Sequence, residues 1–158
     1  VRTEKTYRNW VNNMKKLNTF RLSFPSKSLN EGFSRAVTAA FAALCDPTVE
    51  EICDLKTAVS EAVTNCIVHA YPNGEGVVYI EGTLFEGNIL KIKIRDRGVG
   101  ISDIKQAMEP LYTTAGDDRS GLGFCVMESF SDKVGVRSTV GKGTVVTLTK
   151  KLSGKEKL

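Results

Sequence analysis

Two apolar periods, one of threes and fours and one of twos, bound what this chain can fold into. Ile52, Leu55, Val59, Ala62, Cys66 and Ala70 fall three or four residues apart, the spacing of one helix face. Leu90, Ile92 and Ile94 alternate with Lys91, Lys93 and Arg95, so a strand there turns one face to a core and the other to water. A helix with one apolar stripe and a sheet with one apolar face each need the other for burial. The predicted architecture is an α+β two-layer sandwich, with helices on one face of a largely antiparallel sheet.

The punctuation fits that plan. Phe20, Leu22 and Phe24 alternate within residues 18–26, which reads as a first strand. Ser28 and Glu31 predict a capping box, each side chain capping a free backbone N–H. Behind it Phe33, Val37, Ala40, Phe41 and Leu44 are expected to form a buried stripe. Asp46-Pro47 breaks that helix, and Thr48 with Glu51 predicts a second capping box opening the next one. Pro72, Asn73 and Gly74 end it near Tyr71. The runs VVYIEGTLF and NILKIKIRD pair as a hairpin turning at Glu86-Gly87-Asn88. A glycine-punctuated segment from Gly98 to Gly123 follows, then a helix near 124–131. A second hairpin, KVGVRST with TVVTLTKK, turns at Gly141-Lys142-Gly143. With 158 residues a single core is expected: one domain over 18–152, a flexible extension over 1–17 and a tail over 153–158. Met14 before Lys15-Lys16 reads as a natural start, with residues 1–13 upstream of it.

Charge and cysteine usage remove several classes. The net charge of +4 gathers at the ends, in Arg2, Lys5, Arg8, Lys15 and Lys16 and in Lys150, Lys151, Lys155 and Lys157. Such ends read as solvated tails, so no direct nucleic-acid partner is expected. Cys45, Cys53, Cys66 and Cys125 contain no CxxC pair, and His69 is the only histidine. Neither a metal centre nor a disulfide framework fits; a reducing cytoplasm does. No secretory segment or long apolar run appears, so no membrane partner is expected.

Three places carry chemistry. Glu61, Asn65 and His69 stand four apart, about 40° from one another around a helix, as a polar ridge beside the apolar stripe. A solvated helix face explains such a ridge. So does a Mg²⁺-nucleotide site, where an Asn carbonyl suits a hard cation and a carboxylate orients or deprotonates a hydroxyl. Asp96 has the parity of Leu90, Ile92 and Ile94, so it points to the covered face and needs a donor. That donor is a structural N–H or, beside the glycines of DRGVG, the amino group of an adenine. RSGLGF reads as a glycine turn feeding a helix, whose free N–H groups suit phosphate, with Arg119 adding a charge-assisted contact. A lone GxG often marks only a turn; the order of the whole series is specific.

That series, EAVTN, then DRGVG, then RSGLGF, resembles the N box and glycine boxes of the GHKL ATPases, the group of gyrase and histidine-kinase ATP domains. NEGFSRAVTAAFAA, DPTVEE, VSEAVTNCIVHAYPN, RDRGVGISDI and EPLYTT narrow the resemblance to the bacterial anti-sigma-F family, from about Phe20 to Leu152. The resemblance implies a Bergerat ATP-binding fold with a mixed, mainly antiparallel sheet, and a protein-serine kinase using ATP and Mg²⁺. Glu61 would be the general base and Asn65 the Mg²⁺ ligand. Asp96 would bind the adenine amino group, with Thr144 supporting it. Gly98 and Gly100 would give base and ribose room, and residues 101–123 would form a lid. Arg119 would act on the γ-phosphate, with Ser120, Gly121 and Gly123 wrapping the phosphates. Arg35 would contact protein partners, and His69 would make an orienting hydrogen bond. The implied partners are sporulation sigma factor F, a serine-bearing anti-anti-sigma factor, and a second copy of the chain in a homodimer joined through the sheets. The lid TTAGDDRSG contains no lysine, which leaves a nucleotide-gated sigma-sequestering protein with little kinase activity as a second reading. A general-stress anti-sigma kinase and a histidine-kinase catalytic domain are further ones; the latter lacks an acceptor histidine outside the N box.

Overall fold

The computed structural model describes residues 13–112 and 121–154. Five strands form one sheet: β1 (Lys16–Pro25), β2 (Val77–Phe85), β3 (Ile89–Arg95), β4 (Lys133–Thr139) and β5 (Gly143–Lys151). Their order is β1-β2-β3-β5-β4. All four pairings are antiparallel, so the parallel component of the implied mixed sheet is not seen among the described residues. The hairpins turn where expected, with Gly87 and Asn88 in the left-handed region at φ 74° and 57°.

Four helices accompany the sheet among the described residues: α1 (Leu29–Ala42), α2 (Val49–Asn65), α3 (Ile104–Ala107) and α4 (Gly123–Phe130). The core lies between them and the sheet. Val59 and Val63 of α2, Ile80 and Leu84 of β2, Leu90, Ile92 and Ile94 of β3, and Met127 of α4 are all essentially inaccessible. Burying a side chain of this size contributes about 1.5–3 kcal/mol, so the two periods that opened the sequence reading account for most of this layer. Lys150, expected in a solvated tail, is instead half-buried on β5. Its Nζ donates to Asp54 Oδ2 at 3.0 Å and to the Phe130 carbonyl at 3.1 Å, fastening β5 to α2 and α4. No helix among the described residues is long and apolar enough to cross a membrane.

The α2 capping box is present: Glu51 N donates to Thr48 Oγ1 at 3.1 Å and Thr48 N to Glu51 Oε2 at 2.9 Å. The one predicted at Ser28 is not. Ser28 has helical dihedrals and makes no side-chain cap, because Glu31 is engaged elsewhere. It accepts from Ser60 Oγ on α2 and pairs with Arg35 at 2.9 Å. The α1 stripe is also rotated from expectation. Ser34, Thr38, Phe41 and Ala42 are buried, whereas Phe33 and Leu44 are 52% and 44% exposed. Ser34 and Thr38 tolerate burial because their hydroxyls donate to the helix's own carbonyls of Glu31 and Ser34, each at 2.6 Å. A satisfied hydroxyl then packs like a small apolar group.

Candidate functional site

The covered end of β3 meets the C-terminal end of α2 at a cavity of about 810 Å³. Asp96 follows β3 and points inward, as its parity required; it is 5% exposed. Oδ1 accepts from the backbone N–H of Gly98 at 2.9 Å and of Thr144 at 3.2 Å. Among the described residues Oδ2 meets only the Cys66 thiol, with Sγ at 3.6 Å. One carboxylate oxygen is therefore satisfied by the turn and the neighbouring strand. The other holds a weak thiol donor at the wall of an open cavity. Burial, followed by the Asp96 charge and hydrogen bond, pushes the Cys66 thiol well above the usual thiol range, so the thiol stays protonated and able to donate. Helical spacing alone marks Cys66 only as a member of the apolar stripe.

Glu61 and Asn65 stand one turn apart on α2 and both line the cavity, as does His69. The last turn departs from the expected α-helix: Cys66–Ala70 form a π turn. Such a wider turn is common at functional sites. Here it delivers the Ala70 carbonyl to the DRGVG loop, where it accepts from Val99 N at 2.9 Å.

The glycines have reasons internal to the protein. A methyl group on Gly98 would stand 2.0 Å from the Ala70 carbonyl oxygen, and one on Gly100 2.3 Å from the Thr139 carbonyl oxygen. Gly100 also has φ 75°, a conformation that disfavours a side chain. Both permit backbone to meet backbone. Of the two, Gly100 reaches the cavity lining, while Gly98 lies behind it.

The second glycine box supplies the opposite wall. Gly123 starts α4 directly against the α2 ridge; a methyl there would stand 3.1 Å from Glu61 Oε2 and 3.4 Å from Asn65 Oδ1. The α4 N-cap, Leu122, provides no side-chain cap, so the first-turn N–H groups rely on other acceptors. Gly121 (φ 65°) accepts from Leu111 N at 3.0 Å through its carbonyl. Gly121 and Gly123 both line the cavity. Arg119 and Ser120, assigned to phosphate in the sequence reading, lie outside the described residues. Arg35, on α1 and paired with Glu31, is not among the residues lining the cavity.

Thr144 is buried on β5 and lines the cavity. Its hydroxyl lies 2.8 Å from that of Ser138, directly opposite on β4. Ser138 was missed in the sequence. The register of the second hairpin was the available signal, since it sets the two residues across from each other on the core-facing side. Tyr71 was missed as well: its hydroxyl accepts from Arg97 N at 2.9 Å and donates to the Val77 carbonyl at 2.7 Å, bracing the loop from behind.

Comparison with known proteins bears on the family and the fold. Residues 27–150 match the family described as the histidine kinase-like ATPase domain. The anti-sigma F factor of a Thermoanaerobacter strain is 54% identical over 138 residues, covering 87% of this chain and 96% of that protein. Its counterpart in Priestia megaterium is 47% identical over 143 residues, covering 89% and 97%. The solved RsbU and RsbW domains of a Mycobacterium tuberculosis protein superpose with a TM-score of 0.62 at 17% identity, over 86% of this chain and 33% of theirs. A blue-light-activated histidine kinase domain of Erythrobacter litoralis gives 0.55 at 22%, over 78% and 61%. These two likenesses speak to the fold.

Proposed function

The chain belongs to the anti-sigma F factors, within the histidine kinase-like ATPase family, and from that membership we propose that it binds and inhibits sporulation sigma factor F and phosphorylates a serine of its anti-anti-sigma partner. The single observation carrying the nucleotide reading is the division of labour in Asp96. Oδ1 is saturated by two backbone N–H groups, and Oδ2, on a residue that lines the cavity, meets only a thiol among the described residues. A buried carboxylate oxygen seeks a better donor, and the exocyclic amino group of adenine is one.

The rest of the cavity fits ATP placed that way. From Asp96 it extends past Glu61 and Asn65 to the start of α4, whose N-cap makes no side-chain hydrogen bond and whose N-terminal end favours an anion. Asn65 would hold Mg²⁺ through its side-chain carbonyl, and the ion, when bound, supplies charge neutralisation at the phosphate oxygens. Glu61 accepts the proton of the partner's serine hydroxyl as the serine oxygen attacks the γ-phosphorus in line, breaking the bond to the β–γ bridging oxygen so that ADP leaves. Gly121, Gly123 and Ser120 wrap the phosphates, and Arg119 stabilises charge on the transferring group. Gly100 borders the ribose, and Gly98 holds the loop behind the base. Arg35, its side chain 41% exposed despite its pair with Glu31, contacts the protein partners. The working unit is a cytoplasmic homodimer joined through the sheets.

The test is transfer of label from γ-labelled ATP, with Mg²⁺, to the purified anti-anti-sigma protein. Label on a serine is expected, and its loss in Glu61→Gln with ATP binding retained. The lysine-free lid TTAGDDRSG favours one second reading, a nucleotide-gated sequestering protein with little kinase activity. Nucleotide-dependent capture of the sigma factor without label would select it.

A further inference from the structure

Ser138 lies outside every motif singled out in the sequence, yet its hydroxyl joins three parts of the site. Oγ accepts from Ile101 N at 2.8 Å, lies 2.8 Å from Thr144 Oγ1, and reaches the Gly143 carbonyl at 3.1 Å. Ile101 and Thr144 both line the cavity. Ile101 is also the first residue after DRGVG, at the root of the segment leading to α3. Thr144 in turn donates its backbone N–H to Asp96 Oδ1. Among the described side-chain hydrogen bonds, Ser138 alone couples the residue beneath the base to the root of the lid.

Proton counting sharpens the point. A serine hydroxyl has one proton and two lone pairs. With Ile101 N occupying one lone pair, two arrangements remain. Ser138 donates to Thr144 Oγ1, and the Thr144 proton is free to point into the cavity. Alternatively Ser138 donates to the Gly143 carbonyl, Thr144 donates to Ser138, and Thr144 offers a lone pair to the cavity. Thr144 can thus donate into the cavity only when Ser138 turns towards it, while it can accept in either arrangement, and in both cases Ser138 continues to hold Ile101.

We propose that Ser138 is a positioning residue for nucleotide recognition, setting the polarity of the Thr144 hydroxyl and tying base occupancy to the backbone at Ile101. This rests on the adenine reading of the cavity. A ligand ring nitrogen that accepts from Thr144 selects the first arrangement, whereas a bridging water that donates is accepted in either. Ser138→Ala removes both, leaving the Thr144 hydroxyl unanchored and Ile101 N without its acceptor.

The experiment is a double-mutant cycle on ADP and ATP binding in the full chain, measured by calorimetry with Mg²⁺. Ser138→Ala and Thr144→Val should each weaken binding about tenfold, the effect of one or two net hydrogen bonds. The double variant should be no weaker than either single one, because both remove the same coupled pair. Ser138→Thr, which keeps the hydroxyl, should restore binding to within about twofold of wild type. Additive losses, or unchanged affinity in Ser138→Ala, overturn the proposal while leaving the nucleotide site intact. Absence of binding by the wild-type chain overturns the nucleotide reading itself and this inference with it. If Ser138→Ala does not fold, amide exchange in the wild-type protein decides: ADP should slow exchange at Ile101, and an unchanged rate there counts against the coupling.

Discussion

Asp96→Asn is the most informative single substitution because the structure dictates how the new amide must sit. The Asp96 Oδ1 position accepts two backbone N–H groups, from Gly98 and Thr144, so it must remain an oxygen. The amide nitrogen is thereby forced into the Oδ2 position, beside the Cys66 sulfur, on a residue that lines the cavity. There a donor would confront the adenine amino group, itself a donor. Losing a hydrogen bond to a buried carboxylate costs about 1.5–3 kcal/mol, roughly tenfold to 150-fold in Kd. Stability should stay within about 1–2 kcal/mol of wild type, since both backbone N–H groups keep their acceptor. Calorimetry with ADP and with inosine diphosphate, whose ring carries an oxo group at that position, supplies the contrast. ADP binding should weaken while the inosine nucleotide binds as well as before or better. Equal losses for both nucleotides, or ADP affinity unchanged, would refute the orientation assigned to the base.

Four further outcomes follow from other parts of the molecule. Thr48→Ala should lower unfolding free energy by about 1 kcal/mol by removing a real cap, whereas Ser28→Ala should change it by less than about 0.5 kcal/mol; chemical denaturation compares them. Gly98→Ala should abolish nucleotide binding or folding, because its methyl would stand 2.0 Å from the Ala70 carbonyl oxygen, and binding at wild-type affinity would contradict the packing of the π turn. Glu61→Gln should leave ATP affinity within about threefold while lowering phosphoryl transfer by roughly 10²–10⁴, read by single-turnover labelling. Cys66, whose thiol is raised by burial and then by Asp96, adds stability that is whole below the ordinary thiol range. That contribution is lost as pH climbs towards the raised value, because the unfolded chain ionises first. Thermal melting of wild type should therefore fall more steeply above pH 9 than that of Cys66→Ala.

What the sequence revealed, and what it hid, divides by the range of the interaction. The α2 stripe, the Thr48–Glu51 cap and the turn at Gly87-Asn88 were legible because each depends on residues within a few positions of one another. Ser28 and Glu31 have the same local pattern as Thr48 and Glu51, yet Glu31 accepts from Ser60, 29 residues away, and the cap is not made. No local rule separates the two cases. The core face of α1 was misjudged for a related reason. Ser34 and Thr38 look polar in the sequence, but their hydroxyls are already satisfied by the helix backbone, so they are free to pack inward.

The same division explains the candidate site. Asp96 was legible because strand parity is local, and it pointed to the covered side before any partner was known. The divided use of its two oxygens was not legible, since its donors come from the loop at Gly98, from β5 at Thr144 and from the π turn at Cys66. Gly98 and Gly100 illustrate how a correct motif can carry an incomplete reason: the pattern suggested space for a ligand, and each glycine also admits a carbonyl oxygen of this chain, from Ala70 and Thr139. Those two contacts draw the α2 end and the second hairpin onto one loop, which is what brings Cys66, Asp96 and Thr144 to a common wall. A nucleotide bound there would touch all three elements at once, so a change in the base's hydrogen bonds would reach Ile101 and the end of α2 without any element having to unfold.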